Sequence, residues 1–88
     1  MQIQDLSDIQ LVPARTVGMK NDDEVVKLTF RNGKKEEEVV LFQPLLCHAL
    51  DLADDGLQKA LDAGKETLLE SARKNIKFGS ILQKFFSA

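Results

Sequence analysis

Every second residue from Val26 to Phe30 is apolar, and the residues between them are polar. Because successive side chains of an extended strand point to opposite faces, this alternation predicts a strand over Glu24–Arg31 with one apolar face. Asn32-Gly33 follows directly, and this pair favours the two-residue turn of a β-hairpin, since both residues tolerate positive φ. We therefore expect a hairpin whose second strand covers Glu36–Gln43.

The sequence allows two registers for this hairpin. A strict two-residue loop pairs Arg31 with Lys34 and places Glu37 on the apolar face of the first strand. A loop that is one residue longer and contains a bulge places Val40 and Phe42 on that face instead. The second register separates apolar from charged side chains more cleanly, so we favour it.

An earlier strand is predicted over Ala14–Lys20, between Val12-Pro13, which breaks regular structure, and the turn-forming residues 21–23. Gly18 weakens this segment and suggests an edge strand or a bulge. Residues 1–10 are polar enough to form a flexible N-terminal arm. Together the three predicted strands form a short antiparallel meander.

Two helices are predicted after the hairpin. The first starts at Gln43-Pro44, because proline is tolerated in the first turn of a helix. Gly56 interrupts its apolar pattern, and Gly64 is expected to cap its C-terminus. The second helix covers residues 65–86, and one apolar stripe along it consists of Leu68, Ala72, Ile76, Gly79 and Leu82. The pattern therefore predicts a single α+β domain over residues 1–88, in which a three-stranded antiparallel meander carries two helices on one face.

Composition supports a folded protein of one domain. The chain has 88 residues, of which 43% are apolar and 30% are charged, as is usual for globular proteins. Its one cysteine, Cys47, cannot form an internal disulfide, which favours a reducing compartment. The first eight residues lack the pattern of a signal peptide, and no apolar run is long enough to span a membrane. We therefore expect a cytoplasmic protein.

Few residues suggest catalysis or metal binding. Cys47 and His48 are adjacent, but neighbouring side chains on a helix point about 100° apart, so we do not expect a thiolate–imidazole pair. His48, Asp51 and Asp55 share one side of the predicted helix, yet this spacing is more typical of a solvated face than of a metal site. The glycines are too scattered for a phosphate-binding loop. We therefore predict neither enzymatic activity nor a cofactor.

The second predicted helix has apolar side chains on more than one side. A chain this short has a thin core, so a helix of this kind is expected to contact another protein or a second copy of the chain, as in a homodimer. If both helices lie side by side on the sheet, the same side chains fill the core instead. The residues predicted to bind the partner are Phe78, Ile81, Leu82, Phe85 and Phe86, with Lys77 and Lys84 at the polar rim.

Basic residues on the same helix suggest an alternative function. Arg73, Lys74, Lys77 and Lys84 could form a strip that contacts the phosphates of a nucleic acid. Two glutamates interrupt this strip, and the formal net charge of the chain is -2. A small nucleic-acid-binding regulator is therefore the second hypothesis, after a protein-interaction module.

Overall fold

The computed structural model describes residues 2–20, 23–53 and 55–86, and of Phe86 it describes the backbone only. Three strands and four α-helices lie in these ranges. They are β1 (Leu6–Pro13), β2 (Glu24–Asn32), β3 (Lys35–Phe42), α1 (Gln43–Ala49), α2 (Gly56–Ala63), α3 (Lys65–Arg73) and α4 (Ile76–Phe86). Short 3-10 helices cover Ile3–Asp5, before β1, and Ala14–Val17, after it.

The three strands form one antiparallel sheet in the order β1-β2-β3, which confirms the predicted α+β fold with a three-stranded meander. The first strand, however, is not where the sequence placed it. No strand forms over Ala14–Lys20, and β1 instead occupies part of the segment expected to be a flexible arm. Ile9 and Leu11 of β1 lie opposite β2 and pack into or against the core.

A bulge explains why β1 was missed. The register of β1 on β2 shifts between Leu6 and Asp8, so the residue between them, Ser7, has no partner on β2. An extra residue of this kind breaks the alternation of apolar and polar positions on which strand prediction depends. Leu6 and Ile9 are both buried although they are three residues apart.

The β2–β3 turn lies one residue later than predicted. Asn32 pairs with Lys35, so the two turn residues are Gly33 and Lys34. Gly33 has a φ of 63°, whereas Lys34 is not among the described residues with positive φ. This combination is typical of a type II′ turn, which accepts glycine at its first central position.

Neither predicted register is correct, and burial of Val39 and Leu41 excludes the bulged register that the sequence favoured. Val39 lies opposite Leu28, and Leu41 lies opposite Val26, so both enter the core. Val40 and Phe42 consequently project from the other side of the sheet, here called the outer face, where they are exposed. A shift of one residue would bury Val40 and Phe42 and expose Val39 and Leu41.

The region predicted as two helices contains four. Between α1 and α2, Asp51 adopts a left-handed conformation with a φ of 56°. Gly64 caps α2 as predicted, and its N–H donates a hydrogen bond of 3.1 Å to Ala60 O. Between α3 and α4, Asn75 Oδ1 accepts a hydrogen bond of 2.9 Å from the N–H of Phe78. This side-chain cap starts α4 as a separate helix.

All four helices contribute to one hydrophobic core with the inner face of the sheet. The helical part of this core includes Cys47, which is buried and therefore a packing residue. The buried core residues are Leu6, Ile9, Val26, Leu28, Phe30, Val39, Leu41, Leu46, Cys47, Ala49, Leu57, Leu68, Leu69, Ala72, Phe78 and Leu82. Within the described residues, no helix combines the length and apolar character needed to cross a bilayer.

Candidate functional site

The residues predicted to bind a partner separate into two groups on α4. Phe78 and Leu82 are fully buried in the core of the chain itself, so a partner cannot contact them in this conformation. Ile81 is half-buried against that core, and Phe85 is 46% exposed. The side chain of Phe86 lies outside the described residues. Among the predicted apolar residues whose side chains the structure describes, the accessible ones are Ile81 and Phe85, which are four residues apart and share one side of the helix.

The two lysines predicted at the rim are both exposed, but their surroundings differ. Lys77 Nζ lies 3.1 Å from Asp51 Oδ1, which links the start of α4 to the segment after α1. Lys84 has no ion-pair partner among the residues that the structure describes. The exposed ion pair between Lys77 and Asp51 contributes little to stability. By helix geometry, Lys77 and Lys84 lie together on the side of α4 that carries Ile81 and Phe85.

Ile76 is the exposed apolar residue that sequence reasoning missed. Its side chain is 87% exposed, the largest value among the exposed large apolar residues of the described chain. The sequence pattern assigned it to an apolar stripe of one long helix, but that helix is interrupted at Asn75 and a new helix begins at Ile76. Asn75 was the available signal, because asparagine is a preferred N-cap residue. Ile76 lies about 180° from Phe85 around the axis of α4.

A groove of about 410 Å³ lies beside Ile76, between α4 and the first 3-10 helix. We call it the α4 groove. Its apolar lining comes partly from Ile3 and Gly79, and a Cβ built at Gly79 would lie 4.0 Å from Ile3 Cγ2. The lining residues are Gln2, Ile3, Gln4, Ile76, Gly79, Ser80, Leu82 and Gln83. All eight are uncharged, although 30% of the chain is charged.

The basic strip proposed for nucleic acid is divided between two helices. Arg73, on α3, donates hydrogen bonds from Nε and Nη2 to Leu6 O at 3.0 and 2.8 Å, so its guanidinium is engaged by β1. Lys77, on α4, is paired with Asp51. Lys74 and Lys84 are left without ion pairs among the described residues, and each belongs to a different segment. No continuous row of available cations therefore follows either helix in this part of the chain.

The residues considered for metal binding do not converge. Asp51 contacts Lys77, and Asp55 Oδ2 lies 3.0 Å from Lys59 Nζ. His48 is exposed on α1. No group of three or more histidine, cysteine, aspartate or glutamate side chains is arranged to hold a metal ion within the described ranges.

No protein-family model matches the chain, and neither a curated protein nor a solved structure matches it. The surface of the described residues is therefore the remaining indication of function. Two features of that surface combine exposed apolar side chains with a defined shape: the α4 groove with Ile76, and the edge of β3 with Val40 and Phe42.

Proposed function

We propose that this chain is a non-enzymatic protein-interaction module that forms a homodimer through α4. Ile76 gives the strongest support, because an isoleucine that is 87% exposed stands at the margin of the α4 groove. Single exposed apolar residues are common on proteins, but an exposed residue next to an uncharged groove is typical of an interface. In the dimer, Ile76 of each copy enters the α4 groove of the other.

Helix geometry supports a symmetric contact. Ile76, Gly79, Ser80 and Gln83 all line the same groove, so the projecting side chain and the depression that receives it lie on one side of α4. A two-fold dimer requires this arrangement, because each copy must present the same patch to the other. Gly79 and Ser80 are small residues near the middle of the helix, so two copies of α4 can approach each other closely there.

Charge also favours a second copy over a charged partner. The α4 groove has no charged residue in its lining, so two identical surfaces meet without like-charge repulsion. Burial of one isoleucine side chain stabilises association by about 1.5–3 kcal/mol. A symmetric dimer buries two, so loss of both is expected to raise the dimer Kd by roughly 100-fold or more.

Sedimentation velocity over a series of protein concentrations tests the dimer. We expect the wild-type chain to dimerise and Ile76→Glu to remain a monomer with an unchanged circular dichroism spectrum, because the replaced side chain is exposed. Leu45→Glu is the matched control, since Leu45 is a partly exposed apolar residue on α1 that does not line the α4 groove. A wild-type chain that stays monomeric at the highest concentration would refute the proposal.

A second variant decides which side of α4 is used. Phe85→Asp alters the opposite side of the helix, the side with Ile81, Lys77 and Lys84 that the sequence predicted. If the dimer uses the α4 groove, Phe85→Asp still dimerises. If Phe85→Asp is monomeric and Ile76→Glu is not, the interface is the side first predicted, and the α4 groove is not the site.

A further inference from the structure

The two edges of the sheet differ in how they are covered. At the β1 edge, Arg73 of α3 donates two hydrogen bonds to Leu6 O, and Lys65 Nζ lies 2.9 Å from Asp8 Oδ1. At the β3 edge, no hydrogen bond outside the β2–β3 ladder involves the backbone of residues 35–41 among the described parts of the chain. The β3 edge is therefore open, and an open edge can pair with another strand.

The turn determines which groups of β3 face this open edge. Asn32 and Lys35 flank a two-residue turn, so they form a hydrogen-bonded pair, and such pairs alternate along an antiparallel ladder. Residues 37, 39 and 41 therefore bond to β2. The N–H and C=O groups of Glu36, Glu38 and Val40 point away from β2, towards the open edge.

The side chains of the same three residues lie on the outer face, where they form a row with Phe42. Its first half is acidic, and its second half is apolar, with Val40 36% and Phe42 57% exposed. Both glutamates are exposed, and they form the ion pairs Arg31–Glu36 at 3.6 Å and Lys27–Glu38 at 3.4 Å, in the second of which the lysine is half-buried. Such pairs are weak and leave the carboxylates available to other cations.

This row disfavours pairing with β3 of a second copy. In an antiparallel pair of two β3 edges, only residues whose backbone groups point outward can lie opposite each other. A pair centred on Glu38 places Glu38 opposite Glu38 and Glu36 opposite Val40, so like charges meet and a charge lies against an apolar side chain. In a parallel pair, glutamates lie beside glutamates, and adjacent like charges destabilise a sheet. A partner strand must instead carry cations beside Glu36 and Glu38 and apolar side chains beside Val40 and Phe42.

We infer that the β3 edge binds an extended segment of another protein. In one half of this segment basic residues alternate with neutral residues, and in the other half apolar residues alternate with neutral residues. The segment adds a fourth strand to the sheet. Its backbone bonds to Glu36, Glu38 and Val40 supply affinity, and the acidic and apolar halves of the row fix its direction and register.

A synthetic peptide tests this inference by fluorescence anisotropy. The probe is fluorescein-labelled Val-Thr-Val-Thr-Lys-Thr-Lys with blocked ends, which matches the row in an antiparallel orientation. The reversed sequence matches a parallel orientation, and the same peptide with glutamate in place of lysine is the charge control. We expect saturable binding of one lysine peptide and no binding of the glutamate peptide. Absence of binding by both lysine peptides would overturn the inference and leave the glutamates as protection of the edge against aggregation.

Val40→Pro is the most specific variant. Proline removes the outward N–H at this position but no ladder bond to β2, and edge strands tolerate it there. Val40→Thr is the matched control, because it keeps the N–H and the branched side chain. We expect Val40→Pro to bind the lysine peptide about tenfold more weakly than Val40→Thr. Equal affinities in the two folded variants would refute strand addition.

Charge reversal and amide exchange complete the test. Glu36→Lys with Glu38→Lys is expected to abolish binding of the lysine peptide and permit binding of the glutamate peptide. Bound peptide should slow hydrogen exchange of the amides of Glu36, Glu38 and Val40. If these amides slow with rising protein concentration and without peptide, a second copy occupies the edge and the inference is wrong. Ile76→Glu should bind the peptide normally, which separates this site from the proposed dimer.

Discussion

Arg73 connects α3 to β1, and its replacement by methionine tests how strongly this contact stabilises the fold. The guanidinium donates two hydrogen bonds to Leu6 O, at 3.0 and 2.8 Å, across 67 positions of sequence. Leu6 itself is buried next to the bulge of β1. Methionine keeps most of the apolar length of arginine but removes both donors, so it tests the hydrogen bonds more than the packing.

The expected loss follows from the geometry. A hydrogen bond from a charged donor contributes about 1.5–3 kcal/mol, and the carbonyl that loses both donors retains its desolvation cost. Since the two bonds share one guanidinium and one acceptor and Arg73 is half-buried, we expect a total of about 2–3 kcal/mol rather than twice the single value. A domain of this size is stable by about 4–13 kcal/mol in all. The Tm should fall by roughly 10 °C or more.

Urea denaturation followed by circular dichroism measures this change. Lys74→Met is the matched control, because Lys74 is the exposed neighbour of Arg73, and it should change stability by less than about 0.5 kcal/mol. Arg73→Lys should fall between the two, since one ammonium group cannot reproduce the paired geometry. If Arg73→Met is as stable as Lys74→Met, the hydrogen bonds to Leu6 do not hold α3 against β1.

Two further substitutions test the breaks between helices. Asn75→Ala should destabilise the chain by about 1 kcal/mol because it removes the cap on the N–H of Phe78, whereas Asn75→Asp, which keeps an acceptor, should cost little in the same urea measurement. Gly64→Ala should cost about 1–3 kcal/mol, because Gly64 has a φ of 154°, while Gly79→Ala should stabilise by up to about 1 kcal/mol, because helical Gly79 has room for a Cβ. Changes of the same sign at the two glycines would contradict this interpretation.

The sequence predicted those helices and strands in which a regular apolar pattern is present or a residue marks where the element starts or ends. The alternation around Leu28 identified β2, Pro44 marked the start of α1, and Gly64 marked the end of α2. The antiparallel meander followed from these elements. Each of these predictions needs only local geometry, which a single sequence contains.

The predictions were wrong where the local sequence permits more than one structure and tertiary packing determines which one forms. Asn32-Gly33 is a good turn by itself, but it would place Glu37 opposite Leu28, whereas the later turn places Val39 there. The bulge at Ser7 interrupts the alternation of apolar and polar residues in β1. Pairing with β2, rather than that alternation, determines the positions of Leu6 and Asp8. Neither choice is encoded in the nearest few residues.

The surface predicted from the sequence and the α4 groove lie on opposite sides of the same helix. A continuous helix over residues 65–86 puts Ile76 on one apolar stripe with Leu82 and leaves surplus apolar side chains near the C-terminus. The cap at Asn75 divides that helix, so Phe78 and Leu82 fill the core and Ile76 is released to the surface. One unrecognised N-cap therefore moved the exposed surface by half a turn of the helix.

The two proposed surfaces select different partners because they differ in charge. The α4 groove has an uncharged lining, which suits contact with an identical copy. The row on β3 contains two carboxylates, which would repel the carboxylates of an identical copy. No residue of β3 lines the α4 groove. A dimer formed through α4 therefore does not use β3, and each copy still presents an open edge. Binding of a bivalent basic segment would then be strengthened by proximity of the second edge, without any new contact.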